Sequence, residues 1–195
     1  MSDSASLWSR SRQAAYAEIT DVAMRLFLEQ GFEQTTIDQI ASTAGISRRS
    51  FFRYFGTKED IVLGDLARQG PAVRDALEAI PLEVPPWDAL RLVFETINQR
   101  EADQGLALQI SHMMYETPSL RARSIEKHLH WQSLLVPNIR ERLGIEPDDT
   151  TNPAADALVA SAIVCLDVAG EVWTRSRGTL DLAELFDKAA AAVRG

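Results

Sequence analysis

Residues 36–55 constrain the fold of this chain more than any other stretch of its sequence. Thr36, followed by Gln39, has the spacing of a capping box that begins a helix. Gly45 ends that helix at a position where a positive φ is required, and Ser47 is placed to cap a second helix. The segment therefore predicts two short helices joined by a tight turn, which is a helix-turn-helix.

The apolar residues of the same segment have the spacing of one small shared core. They are Ile37, Ile40, Ala44, Ile46, Phe51 and Phe55. Ala41 lies where the first helix faces the second, and a larger side chain there would push the helices apart. The second helix is therefore expected to project from a compact base, as entry into a DNA major groove about 12 Å wide requires.

The outward face of the second helix is rich in cationic and aromatic side chains. Guanidinium, hydroxyl and aromatic groups suit contacts to phosphates and to base edges. We therefore predict that this face binds double-stranded DNA. The predicted contact residues are Thr35, Thr36, Ser47, Arg48, Arg49, Ser50, Phe52, Arg53, Tyr54 and Lys58. The alternative is a helical pair with a solvated basic face that serves protein contacts in an adaptor.

The net charge of −8 argues against a nucleic-acid partner until it is divided along the chain. Residues 1–60 hold seven Lys and Arg against eight Asp and Glu, whereas residues 61–195 hold thirteen against twenty. The acidity therefore belongs mainly to the C-terminal part of the chain, and a local basic patch remains around residue 50.

Helical periodicity extends along the whole chain, and no long alternating run rich in Val, Ile and Thr indicates a strand. The apolar stripe of the first helix consists of Ile19, Val22, Ala23, Leu26 and Phe27. Periodicity and capping signals predict an all-α fold of about nine helices, near residues 11–30, 37–44, 48–54, 58–79, 87–103, 105–115, 118–143, 153–177 and 181–193. Gly70–Pro71 is expected to interrupt the fourth helix and is a candidate hinge.

The stretch from Leu26 to Ile61 resembles the N-terminal domain of TetR-family transcriptional regulators. The stretch covers about a fifth of the chain, and its matching residues are Gly31, Phe32, Thr35, Thr36, Ile40, Ala41, Ala44 to Ser47, Phe52, Tyr54, Phe55 and Lys58 to Ile61. The family often has glycine where this chain has Arg49. Because a longer cationic side chain at that position can read a base or clamp a phosphate, the operator sequence does not transfer from relatives.

The resemblance implies two domains. Residues 1–57 would be an N-terminal arm and helix-turn-helix domain, and residues 58–195 a ligand-binding and dimerisation domain that starts with a connecting helix at 58–79. Residues 153–193 are expected to pair with a second subunit, so that a homodimer binds a palindromic operator. The implied function is a ligand-responsive repressor that is released by a small apolar or aromatic effector.

Met and aromatic residues between residues 87 and 143 are candidates to line an adaptable apolar pocket. The predicted ligand-binding residues are Trp87, Phe94, Met113, Met114, Tyr115, Trp131 and Leu134, together with Asp167 to orient a polar group. Each of the apolar residues, taken singly, is better explained as an ordinary core residue. Asp167 and Glu171 serve either the ligand or the dimer.

Other classes of function have little support in the sequence. The three histidines, His112, His128 and His130, form no metal-binding or catalytic motif. We therefore expect no enzyme activity, no catalytic residue, no metal site and no cofactor.

The single Cys165 excludes an internal disulfide. No apolar run approaches the roughly 20 residues of a membrane span, and the polar N-terminus lacks a signal core. A cytoplasmic protein without a membrane partner is expected.

Overall fold

The computed structural model describes residues 3–64, 66–98 and 104–195, and every regular element in those ranges is an α-helix. The all-α prediction is therefore confirmed. The chain divides into two compact units, Met1–Asp65 and Leu66–Gly195. They are called the N-terminal unit and the C-terminal unit below, and each has its own core.

The N-terminal unit contains α1 (Asp3–Gln30), α2 (Ile37–Thr43), α3 (Arg48–Tyr54) and α4 (Glu59–Leu63). The described part of the C-terminal unit contains α5 (Leu66–Glu78), α6 (Pro86–Asn98), α7 (Gln104–Glu116), α8 (Pro118–Arg142), α9 (Ala154–Arg175) and α10 (Leu182–Arg194). Residues 99–103, which the sequence pattern assigns to the end of a helix, lie outside the described residues. α1 begins at Asp3 rather than near residue 11. Ser and Asp have a low helix propensity, but the cost is less than about 1 kcal/mol per residue and does not prevent the helix from starting there.

The core of the N-terminal unit forms on the apolar stripe of α1. Ile19 and Phe27 are each only 2% exposed, in agreement with the helical spacing of the sequence. Aromatic rings fill the space beside them. The ring of Tyr16 stacks on Phe55 with 4.5 Å between centroids, and Phe27 lies 4.8 Å from Phe32. This core gives α2 and α3 a rigid support.

The predicted connecting helix at 58–79 is observed as two helices, α4 and α5. α4 ends at Leu63 and is followed by Gly64, whose φ of +74° is a backbone conformation that residues with a Cβ rarely adopt. The expected interruption at Gly70–Pro71 is wrong, since α5 continues through Pro71. Pro71 is the sixth of the thirteen residues of α5, and it removes one backbone donor without ending the helix.

α9 is the central helix of the C-terminal unit and packs against α6, α7, α8 and α10. Its inward positions are small or branched, and the buried ones are Ala155, Val159, Ala162, Ile163, Cys165, Ala169 and Thr174. Cys165 is 2% exposed, and burial raises the pKa of its thiol. The interpretation of Cys165 as a small apolar core residue is therefore confirmed.

Among the described helices, α9 is the one whose length and composition would allow it to cross a membrane. This is weak evidence, because a core helix of a soluble protein has the same composition. The apolar residues form no uninterrupted run, since Asp156, Asp167 and Glu171 lie among them. One face of α9 nevertheless stays open within this chain, where Val164 is 56% and Val168 is 48% exposed.

Arg142, in the last turn of α8, holds the loop between α5 and α6. Its Nη1 donates to the carbonyl oxygens of Pro81 at 2.6 Å and Val84 at 3.1 Å. Its Nη2 donates to the carbonyl oxygens of Leu77 at 3.2 Å and Ile80 at 2.7 Å. Burial lowers the pKa of this guanidinium. One side chain therefore donates to four carbonyl groups at the end of α5 and in the loop that follows it.

Candidate DNA-binding surface and effector site

The helix-turn-helix is held by local hydrogen bonds of the kind that the sequence predicts. Thr36 Oγ1 accepts from the Gln39 backbone N–H at 3.2 Å, and Gln39 Oε1 accepts from the Thr36 backbone N–H at 2.8 Å. Ser47 Oγ accepts from the Ser50 backbone N–H at 3.1 Å. Gly45 has a φ of +66°. Both caps and the glycine turn are therefore confirmed.

The inner face of the helix-turn-helix fixes the direction of α3. Ile40 and Phe51 are fully buried, and Ala41 and Phe55 are each 3% exposed. The remaining members of the predicted small core, which are Ile37, Ala44 and Ile46, are half-buried. Because buried aromatic and branched side chains lock the back of the helix, the opposite face is presented in a single orientation.

The outer face of α3 is open. Arg48, Arg49, Phe52 and Arg53 are exposed, and Tyr54 is half-buried. The Arg48 guanidinium lies 5.8 Å from the centroid of Phe52, and that of Arg53 lies 5.4 Å from the centroid of Tyr54. Aromatic rings therefore orient two of the arginines without consuming their hydrogen-bond donors.

Thr35, Thr36 and Lys58, which are also predicted DNA contacts, have partners within the N-terminal unit. Thr35 is 1% exposed and its hydroxyl donates to the Gly31 carbonyl at 2.8 Å. Lys58 Nζ donates to the carbonyl oxygens of Phe32 at 2.9 Å and Thr35 at 3.3 Å, and it lies 4.3 Å from the Phe32 ring centroid. These side chains therefore form hydrogen bonds within the N-terminal unit, and their contact with DNA stays a prediction.

Several predicted ligand residues meet where α7, α8 and α9 pack together. The Tyr115 hydroxyl donates to the Asp167 carbonyl at 3.0 Å. His128 Nδ1 lies 3.0 Å from Asp167 Oδ2, and the His128 ring centroid lies 5.5 Å from that of Trp131. Sequence reasoning missed His128, because its partner is 39 positions away and no local pattern joins them.

This cluster is closely packed around Trp131 and Tyr115, whereas the Asp167 side chain is 40% exposed. Among the described residues, Trp131 Nε1 is the one buried side-chain nitrogen or oxygen without a hydrogen-bond partner. Burial, with the nearby charges of Asp167 and Glu171, raises the pKa of Tyr115. A Cβ added at Gly170 would lie 2.7 Å from the Tyr115 hydroxyl. Glycine therefore permits the close approach of α7 and α9.

The other predicted ligand residues lie elsewhere in the C-terminal unit. The Arg194 guanidinium lies 5.8 Å from the ring centroid of Trp87. Met113 and Met114 are half-buried on α7. On α8, Leu134 would lie 2.7 Å from a Cβ added at Gly70. The eight residues are thus not brought together in one pocket.

Phe94 lines a cavity that the sequence did not predict. The cavity lies between α6, α9 and the start of α10 and has a volume of about 320 Å³. Its lining residues are Arg91, Phe94, Glu95, Leu166, Trp173, Leu180, Asp181, Leu182, Ala183 and Phe186. It is called the α6–α9–α10 cavity below. Within the described ranges, no group of three or more His, Cys, Asp or Glu side chains could hold a metal ion.

Sequence models of two known families match the chain. The model of "Bacterial regulatory proteins, tetR family" matches residues 19–64, and the model of the "MftR C-terminal domain" matches residues 84–195. The first match therefore falls within the N-terminal unit, and the second covers most of the C-terminal unit.

Two bacterial regulators are similar in sequence over much of their length. A Mycobacterium tuberculosis protein, provisionally described as the mycofactocin biosynthesis transcriptional regulator MftR, is 31% identical over 72% of this chain and 71% of its own. The HTH-type transcriptional regulator TcmR of Streptomyces glaucescens is 29% identical over 88% of this chain and 79% of its own.

Solved structures share the fold at lower identity. FadR of Thermus thermophilus, in complex with lauroyl-CoA, has a TM-score of 0.58 at 22% identity and covers 90% of this chain and 91% of its own. FadR of Bacillus subtilis, in complex with stearoyl-CoA, has a TM-score of 0.57 at 20% identity over 89% and 95% of the two chains. A chain that carries both family models and is 31% identical to one regulator over 72% of its own length belongs to the TetR family of ligand-responsive transcriptional regulators.

Proposed function

We propose that this regulator represses transcription as a homodimer on a near-palindromic operator and is released by a small apolar or aromatic effector. The observation that carries the proposal is the outer face of α3. Arg49, Phe52 and Arg53 are exposed there, whereas the opposite side of the helix is anchored by fully buried Phe51. Such a face offers cationic groups to phosphates and both polar and apolar groups to base edges.

The open face of α9 supports the homodimer. Val164 and Val168 are about half exposed, and Ala157 and Arg175 follow at the same helical spacing and are exposed as well. A second copy that covers this face would bury apolar surface that the single chain leaves in water. Two-fold symmetry then presents two α3 helices to half-sites about 34 Å apart.

An effector acts if it binds more tightly to the conformation that fits DNA less well. In the C-terminal unit, the α6–α9–α10 cavity and the cluster around Trp131 and Asp167 are the candidate places for it. Because the FadR structures contain lauroyl-CoA and stearoyl-CoA, acyl-CoA esters belong in the first effector panel together with neutral and charged aromatic compounds.

The experiment is an unbiased selection of bound duplexes, followed by fluorescence anisotropy on the selected sequence. We expect an inverted repeat, two chains per site, and affinity that falls steeply with salt, by about 0.9 in log K per log salt for each phosphate contact. The selected duplex is then used to screen effectors for release. A selection that enriches no sequence would contradict the proposal.

An adaptor that uses the helix-turn-helix for protein contacts is the second candidate. It is favoured by the acidic C-terminal part of the chain, which opposes DNA on charge alone. Salt separates the two, because an adaptor would bind its partner without the steep dependence that phosphate contacts impose.

A further inference from the structure

We propose that the α6–α9–α10 cavity is a binding site for a small organic cation with an aromatic or alkyl body. The volume of about 320 Å³ lies at the lower end of the range for small-molecule sites, roughly 300–1,000 Å³. The site therefore suits a compact molecule of one ring and a short chain rather than a long lipid.

The walls of the cavity are mostly apolar and include three aromatic rings. Phe94 and Phe186 contact each other edge-on, with 5.9 Å between centroids and 74° between planes. Trp173 lines the cavity from α9. Apolar walls favour an apolar body, and the faces of aromatic rings, that of Trp above all, attract a cation.

The one basic side chain in the lining is already neutralised. Arg91 Nε and Nη2 donate to the two carboxylate oxygens of Asp187 at 2.6 and 2.9 Å. Its Nη1 lies 2.8 Å from Glu95 Oε1. Because a guanidinium that is engaged on both edges has little left to offer an anion, Arg91 does not make the cavity an anion site.

Acidic groups outnumber Arg91 at the cavity. Glu95 and Asp181 belong to the lining, and Asp187 is paired with Arg91 beside it. Asp181 Oδ1 accepts from the Glu184 backbone N–H at 2.8 Å, and a carboxylate has further acceptor positions on both oxygens. Three carboxylates against one guanidinium attract a cation and repel a carboxylate or phosphate ligand.

The cavity faces away from the open side of α9. Leu166 and Trp173, which line it, are seven positions apart on one face of the helix. Val164 and Val168 are each two positions from Leu166, which places them on nearly the opposite face. A second copy bound to the valine face would therefore leave the cavity open.

The test uses the full chain and three probes that share one body: 4-phenylbutylammonium, 4-phenylbutanol and 4-phenylbutyrate. Titration calorimetry should show that the ammonium binds at least about tenfold more tightly than the alcohol, with the carboxylate weakest, because the probes share a phenylalkyl body and differ in the charge of the end group. Equal affinities for the ammonium and the alcohol would overturn the proposal.

Two substitutions place the binding in the cavity. Ala183→Leu places a larger side chain in the cavity and should weaken the binding of all three probes. Ala191→Leu, at an exposed position of the same helix, should leave the binding of all three unchanged. Glu95→Gln should weaken the ammonium several-fold and leave the alcohol unchanged. Glu184→Gln, an equal change of charge outside the lining, should have a much smaller effect. Thermal unfolding checks that each variant is folded, and binding unaffected by Ala183→Leu in a folded variant would overturn the assignment.

Any effect of the bound cation on transcription rests on the proposed function, whereas its binding does not. Operator affinity measured with and without saturating ammonium therefore separates the two. Binding that Ala183→Leu abolishes, with unchanged operator affinity, would support the cation site and count against this cavity as the effector site.

Discussion

Arg48 and Asp38 are joined across the helix-turn-helix, with Arg48 Nη1 at 2.9 and 2.8 Å from the two carboxylate oxygens of Asp38. Both side chains are largely exposed, at 60% and 66%. An arginine predicted to contact DNA is therefore paired, in the free protein, with a carboxylate on the neighbouring helix. If Arg48 contacts DNA, the duplex must compete with Asp38 for this guanidinium.

Asp38→Asn should tighten DNA binding, because it removes a negative charge from the binding surface and frees Arg48 for a phosphate. We expect the slope of log K against log salt to steepen by about 0.9, the value for one additional contact. Anisotropy titrations at several salt concentrations measure it. Asp21→Asn, an equal change at an exposed position of α1, is the control. Equal slopes for the wild type and both variants would show that Asp38 withholds no phosphate contact from Arg48.

Arg49 and Lys58 should respond differently to substitution, although the sequence predicts DNA contacts for both. Arg49→Ala should reduce the salt slope by about 0.9 and leave the melting temperature unchanged, since Arg49 is exposed. Lys58→Met should destabilise the N-terminal unit by about 1–3 kcal/mol, because the carbonyls of Phe32 and Thr35 lose a charged donor. Thermal unfolding and anisotropy on both variants separate the roles.

Gly170→Ala should destabilise the protein, although alanine favours a helix by about 1 kcal/mol over glycine. The new Cβ would lie 2.7 Å from the Tyr115 hydroxyl, and overpacking costs about 1–3 kcal/mol. In a Tyr115→Phe background the nearest remaining atom of that ring lies at 3.8 Å, so the same substitution should become neutral or stabilising. Chemical denaturation of the four proteins gives the coupling, and additive effects would refute the steric explanation.

The Arg91–Asp187 pair should stabilise the protein in a pH-dependent way. The hydrogen bond from Arg91 holds the pKa of Asp187 below its ordinary value. A carboxyl whose folded-state pKa is lowered contributes stability above its unfolded-state pKa of about 3.9 and loses it as the pH falls through the folded-state pKa. The advantage over Asp187→Asn should therefore be present at pH 6 and be lost as the pH falls below the unfolded-state pKa of about 3.9 and through the lower folded-state pKa.

The size of that advantage is modest, since Asp187 is 49% exposed and water screens the pair, which limits the effect to under about 1 kcal/mol. Denaturation midpoints measured from pH 7 down to about 2.5 test it. In an Arg91→Gln background, the substitution at Asp187 should lose most of its pH dependence. A pH dependence that survives there would assign the effect to another partner.

Val168→Glu should produce a folded monomer, because it places a charge on the open face of α9. Light scattering after size exclusion measures the mass, and operator affinity should fall by at least about a hundredfold as the two-site contact is lost. Leu82→Glu, at a site of similar exposure in the loop between α5 and α6, should remain a dimer. A dimeric Val168→Glu variant would place the interface elsewhere.

The helix-turn-helix could be predicted almost completely from the sequence because its determinants are local. Thr36 and Ser47 cap helices through residues three positions away, and Gly45 supplies its own positive φ. The break between α4 and α5 was not predicted correctly. In the sequence alone, Gly70–Pro71 is a stronger signal for a helix break than Gly64. In the structure the helix continues through Pro71, and the break lies at Gly64.

The candidate sites of the C-terminal unit could be predicted only in part, since they depend on long-range pairs. His128 meets Asp167 from 39 positions away, and Arg91 meets Asp187 from 96. No spacing rule relates such residues before the helices pack. Composition indicated that aromatic residues are available for a pocket, but Phe94 and Tyr115 serve different places in the unit.

The four carbonyl groups held by Arg142 fix the C-terminal end of α5. The C-terminal end of the helix and the loop beyond it are fastened to α8, whereas Gly64 precedes its other end in a conformation natural only to glycine. Thirteen residues of helix span about 20 Å. A tilt of about 10° around the Arg142 anchor would therefore move the N-terminal end of α5 by about 3–4 Å. A change in the tilt of α5 would thus displace the end that follows Gly64 more than the end that Arg142 holds.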